Sequence, residues 1–243
     1  PSQVDQLQTL PFERLLGAAM AAVRKVRPQN APDTIRAVHN DDRPELAPVV
    51  DGTLLPAHPF DPVGPAISAH VPLLIGCCFN EFGHAINKPQ LEASTEREVR
   101  DRVRATYGER GDLVYDAYRD LYPRMKPFDI QSQVAAALHR VNAVVQSDRM
   151  AALGAPVYHW MFSWQTPVLD GRPRAFHCAE LPFAFDNTDR AAAMTGGGDQ
   201  ARALAAKMAD AWIAFARTGN PNHAGLPAWP RYDAVRGALM VFD

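Results

Sequence analysis

The chain has 243 residues, 47% of them hydrophobic and 21% charged, with a formal net charge of -2. That is the profile of an ordinary globular protein, with neither a basic field for nucleic acid nor an acidic tail. No apolar run reaches the length of a membrane span. The first residue is Pro1, and nothing near it has the charged-then-apolar layout of a signal peptide, so the start reads as cut. The three cysteines, Cys77, Cys78 and Cys178, are odd in number with two adjacent. They do not read as a disulfide framework, which favours a cytoplasmic compartment over a secreted one.

In chain order, Pro11 and Glu13 suit the first turn of a helix over residues 15–26. Asp51-Gly52, between Val49-Val50 and Thr53-Leu54-Leu55, fits a tight turn. Residues 71–77 (VPLLIGC) are nearly continuous in apolar side chains, as in a strand covered on both faces. Thr95-Glu96-Arg97-Glu98 is a capping box opening a helix toward Tyr107, with Gly108 as its stop. Asp112 can cap a second helix that ends before Pro123, and a third covers residues 132–153, ended by Gly154. Residues 157–164 (VYHWMFSW) read as another buried strand. The three glycines at 196–198 form a flexible tip. A fourth helix over residues 200–217 carries the apolar stripe Leu204, Met208, Ala211 and Phe215, and residues 239–242 form a last strand. The 21 prolines gather at 44–72, 167–182 and 221–230, in ordered loops with apolar residues interleaved. Buried strands separated by long helical stretches predict an α/β fold with a parallel or mixed sheet.

In such sheets, sites lie beyond the carboxyl ends of the strands. Glu81 follows the first predicted strand in CCFNEFGH, and a proline-rich loop leads from the second to His177. A carboxylate and an imidazole delivered to one sheet edge would make an acid–base pair: the ring takes a proton, and the carboxylate orients the ring and stabilises the imidazolium. Read alone, the pattern favours a surface carboxylate at a strand end for Glu81 and a loop histidine bonded to backbone for His177. With eight histidines in the chain, the pattern does not select one. Cys77, Cys78, Glu81 and His84 also lie close in sequence as zinc-binding types. Their spacing matches no common zinc pattern, and adjacent strand residues face opposite ways.

Four stretches carry a resemblance: VVDGTLLPAHPF (49–60), VPLLIGCCFNEFG (71–83), GAPVYHWMFSWQTP through AFHCAELPFAF (154–185), and WIAFARTGNPN with LPAWPRYD (212–233). Together they resemble the C-terminal half of a type-B carboxylesterase, the cholinesterase-like branch of the α/β-hydrolases. The resemblance implies a mostly parallel central sheet flanked by helices, with residues 1–243 forming the C-terminal part of one carboxylesterase domain. It implies that Glu81 is the acid and His177 the base of a Ser-His-Glu triad that hydrolyses small carboxylic esters through an acyl-serine intermediate, without a cofactor. Phe82 would border the substrate gorge or pack, and Glu180 would be structural. Two departures stand out: Asn80 where the family commonly has aspartate, and Cys77 and Cys78 where it has small or polar residues.

The nucleophile of this superfamily precedes the acid, in G-x-S-x-G. None of the six serines (Ser2, Ser68, Ser94, Ser132, Ser147 and Ser163) has glycine two residues away on both sides. The serine and the oxyanion donors are therefore expected on an N-terminal half, in the same or a separate chain, and these residues alone are expected to be inactive. The alternative is a cholinesterase-like interaction module without catalysis, or an inactive fragment.

Overall fold

The computed structural model describes residues 4–26, 50–82 and 85–243. Gly83 and His84, within the resemblance and the zinc pattern respectively, lie outside them, as do Val49, Pro44 and His39. The chain divides into two compact units, residues 1–57 and 58–243. The first holds a 3-10 turn, Val4–Thr9, and helix α1, Phe12–Val26, with Glu13 in its first turn as expected. Asp51-Gly52 does form a tight turn. The Asp51 carboxylate accepts the amides of Thr53 and Leu55, and Gly52 has φ +75°. Among the described residues no strand flanks it, so it is an Asx turn in a loop and not a hairpin.

The second unit is built on a three-stranded parallel sheet: β1 Leu73–Cys78, β2 Val157–Phe162 and β3 Met240–Phe242, in that order across the sheet. Leu73 to Cys78 lie opposite Val157 to Phe162 in unbroken register. Strand β1 begins two residues later than the apolar run, because Pro72 has no amide to give a ladder. Strand β2 ends at Phe162, where the amides of Ser163 and Trp164 both turn to the carbonyl of Phe242.

Four longer helices flank this sheet in the chain: α2 Glu96–Tyr107, α3 Gly111–Leu121, α4 Pro127–Ala152 and α5 Asp199–Thr218. The capping box is present. The amide of Glu98 donates to Thr95 Oγ1, and the amide of Thr95 donates back to the Glu98 carboxylate. Asp112 is not a cap. Arg110 holds that position without a side-chain bond, while the Asp112 carboxylate is drawn to Arg104 at 2.9 Å and Arg100 at 3.4 Å. Helix α4 starts at Pro127, ahead of residue 132, because proline suits a first turn whose amides have no helical partner. The glycines at 196–198 are not a free tip. Gly196 closes a short helix, Ala192–Thr195, the Gly197 amide donates to Thr195 Oγ1, and Gly198 caps α5.

Alternation along β2 divides the core. Tyr158, Trp160 and Phe162 join Phe183, Met208, Trp229 and Phe242 on one face of the sheet. Val157 packs with Met150, Ala155 and Tyr232 in a separate cluster. Helices α2, α3 and α4 make a third cluster around Val99, Val103, Tyr115, Ile130 and Val134. The expected stripe on α5 faces inward: Met208 and Ala211 are buried, and Leu204 and Phe215 pack against the first cluster.

Candidate active site

The carboxyl ends of β1 and β2 stay joined beyond the sheet. The amide of Phe79 donates to Phe162 O at 2.8 Å, continuing the ladder by one residue. The chain of β2 then leaves through residues 163–174 and returns to the same place. There the amide of Asn80 donates to Ala175 O at 3.0 Å, Glu81 pairs with Phe176 as an isolated parallel bridge, and the amide of His177 donates to Glu81 O at 2.7 Å. Main-chain pairing thus sets Glu81 beside His177, although 96 residues separate them.

The two side chains meet. His177 Nδ1 lies 2.6 Å from Glu81 Oε2, and Oε1 of the same carboxylate accepts the amide of Cys78 at 2.7 Å. Glu81 is 5% exposed, so it is not a surface carboxylate, while the His177 side chain is 46% exposed. Glu81 has φ +23°, on the left-handed side where a residue with a Cβ is strained. Such strain persists only where the surroundings over-determine it, and here both carboxylate oxygens and the carbonyl are bonded. With Nδ1 engaged by the carboxylate, proton exchange with any reactant falls to Nε2 of the half-exposed ring.

Supports converge on this pair from two other segments, helix α4 and the turn carrying Glu92. Asn80, 3% exposed, donates from Nδ2 to Ser132 Oγ on α4 at 2.9 Å and accepts the Ala175 amide at 3.4 Å. An aspartate could only accept at this place, from the Ser132 hydroxyl, so asparagine reverses the direction of the bond. Phe82 lays its ring on His177, with centroids 4.3 Å apart and planes tilted by 34°. Its ring also lies 5.1 Å from that of His139 on α4, and Phe82 remains 48% exposed. Glu180 accepts from Cys78 Sγ at 2.9 Å. Arg174, in the left-handed region at φ +58°, binds Glu92 through two nitrogens at 2.7 Å each and Asp129 at 2.5 Å. The contacts of Cys78, Asn80, His139 and Arg174 join segments far apart in the chain, and no local motif signals them.

The three cysteines are free thiols. Burial pushes Cys77 up to about 11. Burial and the neighbouring Glu180 carboxylate push Cys78 up, and burial, Glu180 and Glu81 push Cys178 up. None is a ready thiolate, the form that binds metal or attacks carbon. Among the described residues no group of three or more His, Cys, Asp and Glu is placed to hold a metal ion, and His84 lies outside them. Among the described residues, too, no helix is long and apolar enough to cross a membrane.

A second serine–histidine pair lies in the core. Ser147 Oγ is 2.8 Å from His159 Nδ1, and Tyr232, whose ring faces His159, donates its hydroxyl to Asp148 at 2.7 Å. Its polarity is opposite to that of a nucleophile and its base. Ser147 donates its one proton to Ala143 O at 2.8 Å, so its oxygen accepts from the ring. His159 and Ser147 are 2% and 0% exposed, and burial lowers the His159 pKa, keeping the ring neutral. This pair is a packed hydrogen bond between α4 and β2.

Comparison with known proteins gives this geometry a setting. The model of the carboxylesterase family matches residues 3–243. The chain is 29% identical to phenmedipham hydrolase of Pseudarthrobacter oxydans over 80% of its own length and 39% of that protein's. It is 27% identical to para-nitrobenzyl esterase of Bacillus subtilis over 99% of its length and 46% of the relative's. A crystal structure of a Geobacillus stearothermophilus carboxylesterase superposes with a TM-score of 0.67 at 31% identity, covering 100% of this chain and 47% of that one. The chain therefore spans less than half the length of these relatives. With its parallel sheet flanked by helices and a family match along nearly all its residues, the chain belongs to the carboxylesterase family.

Proposed function

We propose that this chain supplies the acid and the base of a carboxylic ester hydrolase: Glu81 and His177 of a Ser-His-Glu triad. The observation that carries the reading is the 2.6 Å contact between His177 Nδ1 and a buried Glu81 carboxylate, on a ring that is half open. His177 Nε2 accepts the hydroxyl proton as the serine oxygen attacks the ester carbonyl. The imidazolium, steadied by Glu81, then gives that proton to the departing alcohol, leaving an acyl-serine. Water repeats the exchange and releases the acid.

The serine and oxyanion donors come from an N-terminal half with which these residues form one domain. Two features support that partner. The chain matches less than half of its relatives' length. Strand β1, which leads to Glu81, is at the sheet edge, pairing only with β2 among the described residues. Phe82, exposed beside His177, borders the space where an ester would lie.

The test uses the complete enzyme with p-nitrophenyl acetate. His177→Ala is expected to lower turnover by about 10⁶ and Glu81→Gln by about 10⁴, as removal of base and orienting carboxylate do in serine hydrolases. The 243-residue chain alone is expected to show no turnover. Unchanged turnover in His177→Ala, or activity of the chain alone, refutes the reading.

A further inference from the structure

Cys78 is the last residue of β1 and is 1% exposed. It touches the acid and the histidine loop at once. Its amide donates to Glu81 Oε1 at 2.7 Å, and its thiol donates to Glu180 Oε2 at 2.9 Å. Glu180 lies three residues beyond His177. It is bound into that loop, because its carbonyl accepts the amides of Phe183 and Ala184 in the helical turn that follows. A continuous path therefore runs from Glu180 through the Cys78 side chain and main chain to Glu81, and on to His177 Nδ1.

We infer that Cys78 is a positioning residue: by tying the strand end to Glu180, its thiol sets how closely the histidine loop approaches Glu81. The inference rests on the proposed roles of Glu81 and His177. A thiol suits the task only as a steady donor. Burial and the Glu180 carboxylate hold Cys78 protonated, so it donates at any working pH. An apolar residue of similar size would fill the core and leave the Glu180 oxygen without this donor.

The experiment compares Cys78→Ala, Cys78→Ser and the Cys78→Ala/Glu180→Ala double variant in the complete enzyme. Loss of one bond to a charged group is expected to lower kcat in Cys78→Ala about tenfold, with little change in KM. Cys78→Ser, which keeps an O–H donor, restores most of it. The double variant loses no more than Cys78→Ala, because both changes cut one tie. A second readout needs no turnover: the His177 Nδ1–H proton resonance, present in the wild type and Cys78→Ser, shifts or broadens in Cys78→Ala.

Full kcat and an unmoved resonance in Cys78→Ala overturn the inference, as does a serine variant as impaired as alanine. A lowered melting temperature with kcat and resonance intact also overturns it, since the thiol is then only packing. If the wild-type enzyme hydrolyses no ester, the proposed function fails and the resonance alone decides the positioning.

Discussion

Arg174 ties the histidine loop to two other segments with one side chain. Its guanidinium is only 12% exposed and binds Glu92, Asp129 and the carbonyl of Arg172, and it lies over the ring of Phe128 at 5.2 Å. Removing one member of a largely buried ion network leaves the others desolvated and unpaired, at a cost of about 3 kcal/mol. Arg174→Ala is therefore expected to lower unfolding stability by roughly that amount in urea titration at neutral pH. The bond to Arg174 holds the Glu92 carboxyl below its usual value of 4.5. A depressed carboxylate contributes stability that is complete above its unfolded pKa and fades as pH falls through the folded one. The wild type should thus lose this contribution on acidification below about 4.5, and Arg174→Ala should lack that part of the acid-side decline. A variant as stable as the wild type, with the same acid profile, would show that the network contributes nothing. Arg174 and Glu92 are 82 residues apart, so this pairing is invisible until the chain is folded. Glu81 and His177 are farther apart still, and only the resemblance of the surrounding stretches to a family proposed them as a pair.

At the scale of elements, local rules read well and long-range ones poorly. The Thr95–Glu98 box lies within a single turn and is present as expected. Asp112 looks like a cap by the same local rule, but arginines on the preceding helix compete for its carboxylate and win. Strand β1 shows a further constraint of this kind. Gly76 lies opposite Trp160 in the register, and a Cβ there would come within 2.1 Å of the Trp160 carbonyl oxygen and 2.4 Å of its indole. Backbone cannot retreat as a flexible side chain can. Gly76→Ala is expected to lose about 1–3 kcal/mol by overpacking, read as a lower denaturation midpoint with the slope unchanged. Because β1 leads directly to Cys78 and Glu81, the same variant should also lower turnover of the complete enzyme. An alanine variant with an unaltered midpoint would mean that β1 and β2 can separate more easily than this contact allows.

For the whole molecule, the α/β class was readable because the parallel strands are continuous apolar runs and the long helices between them carry their own stops, although β1, at the sheet edge, is buried only at Cys77 and Cys78 and not along its length as its sequence suggests. The meeting of Glu81 and His177 was not readable from composition or spacing. It arises where residues 80–81 and 175–177 pair past the end of the sheet, a contact that needs the loop 163–174 to double back. The buried Ser147–His159 pair is the internal contrast: the same residue types, with the serine's proton turned to Ala143 and no path to solvent. The most direct measurement is covalent labelling of the complete enzyme with a fluorophosphonate, which reacts only with an activated serine, followed by mapping of the labelled residue. One label is expected, on a serine outside residues 1–243, and it should vanish in His177→Ala. A label on Ser147, or labelling that persists without the imidazole, would contradict the account.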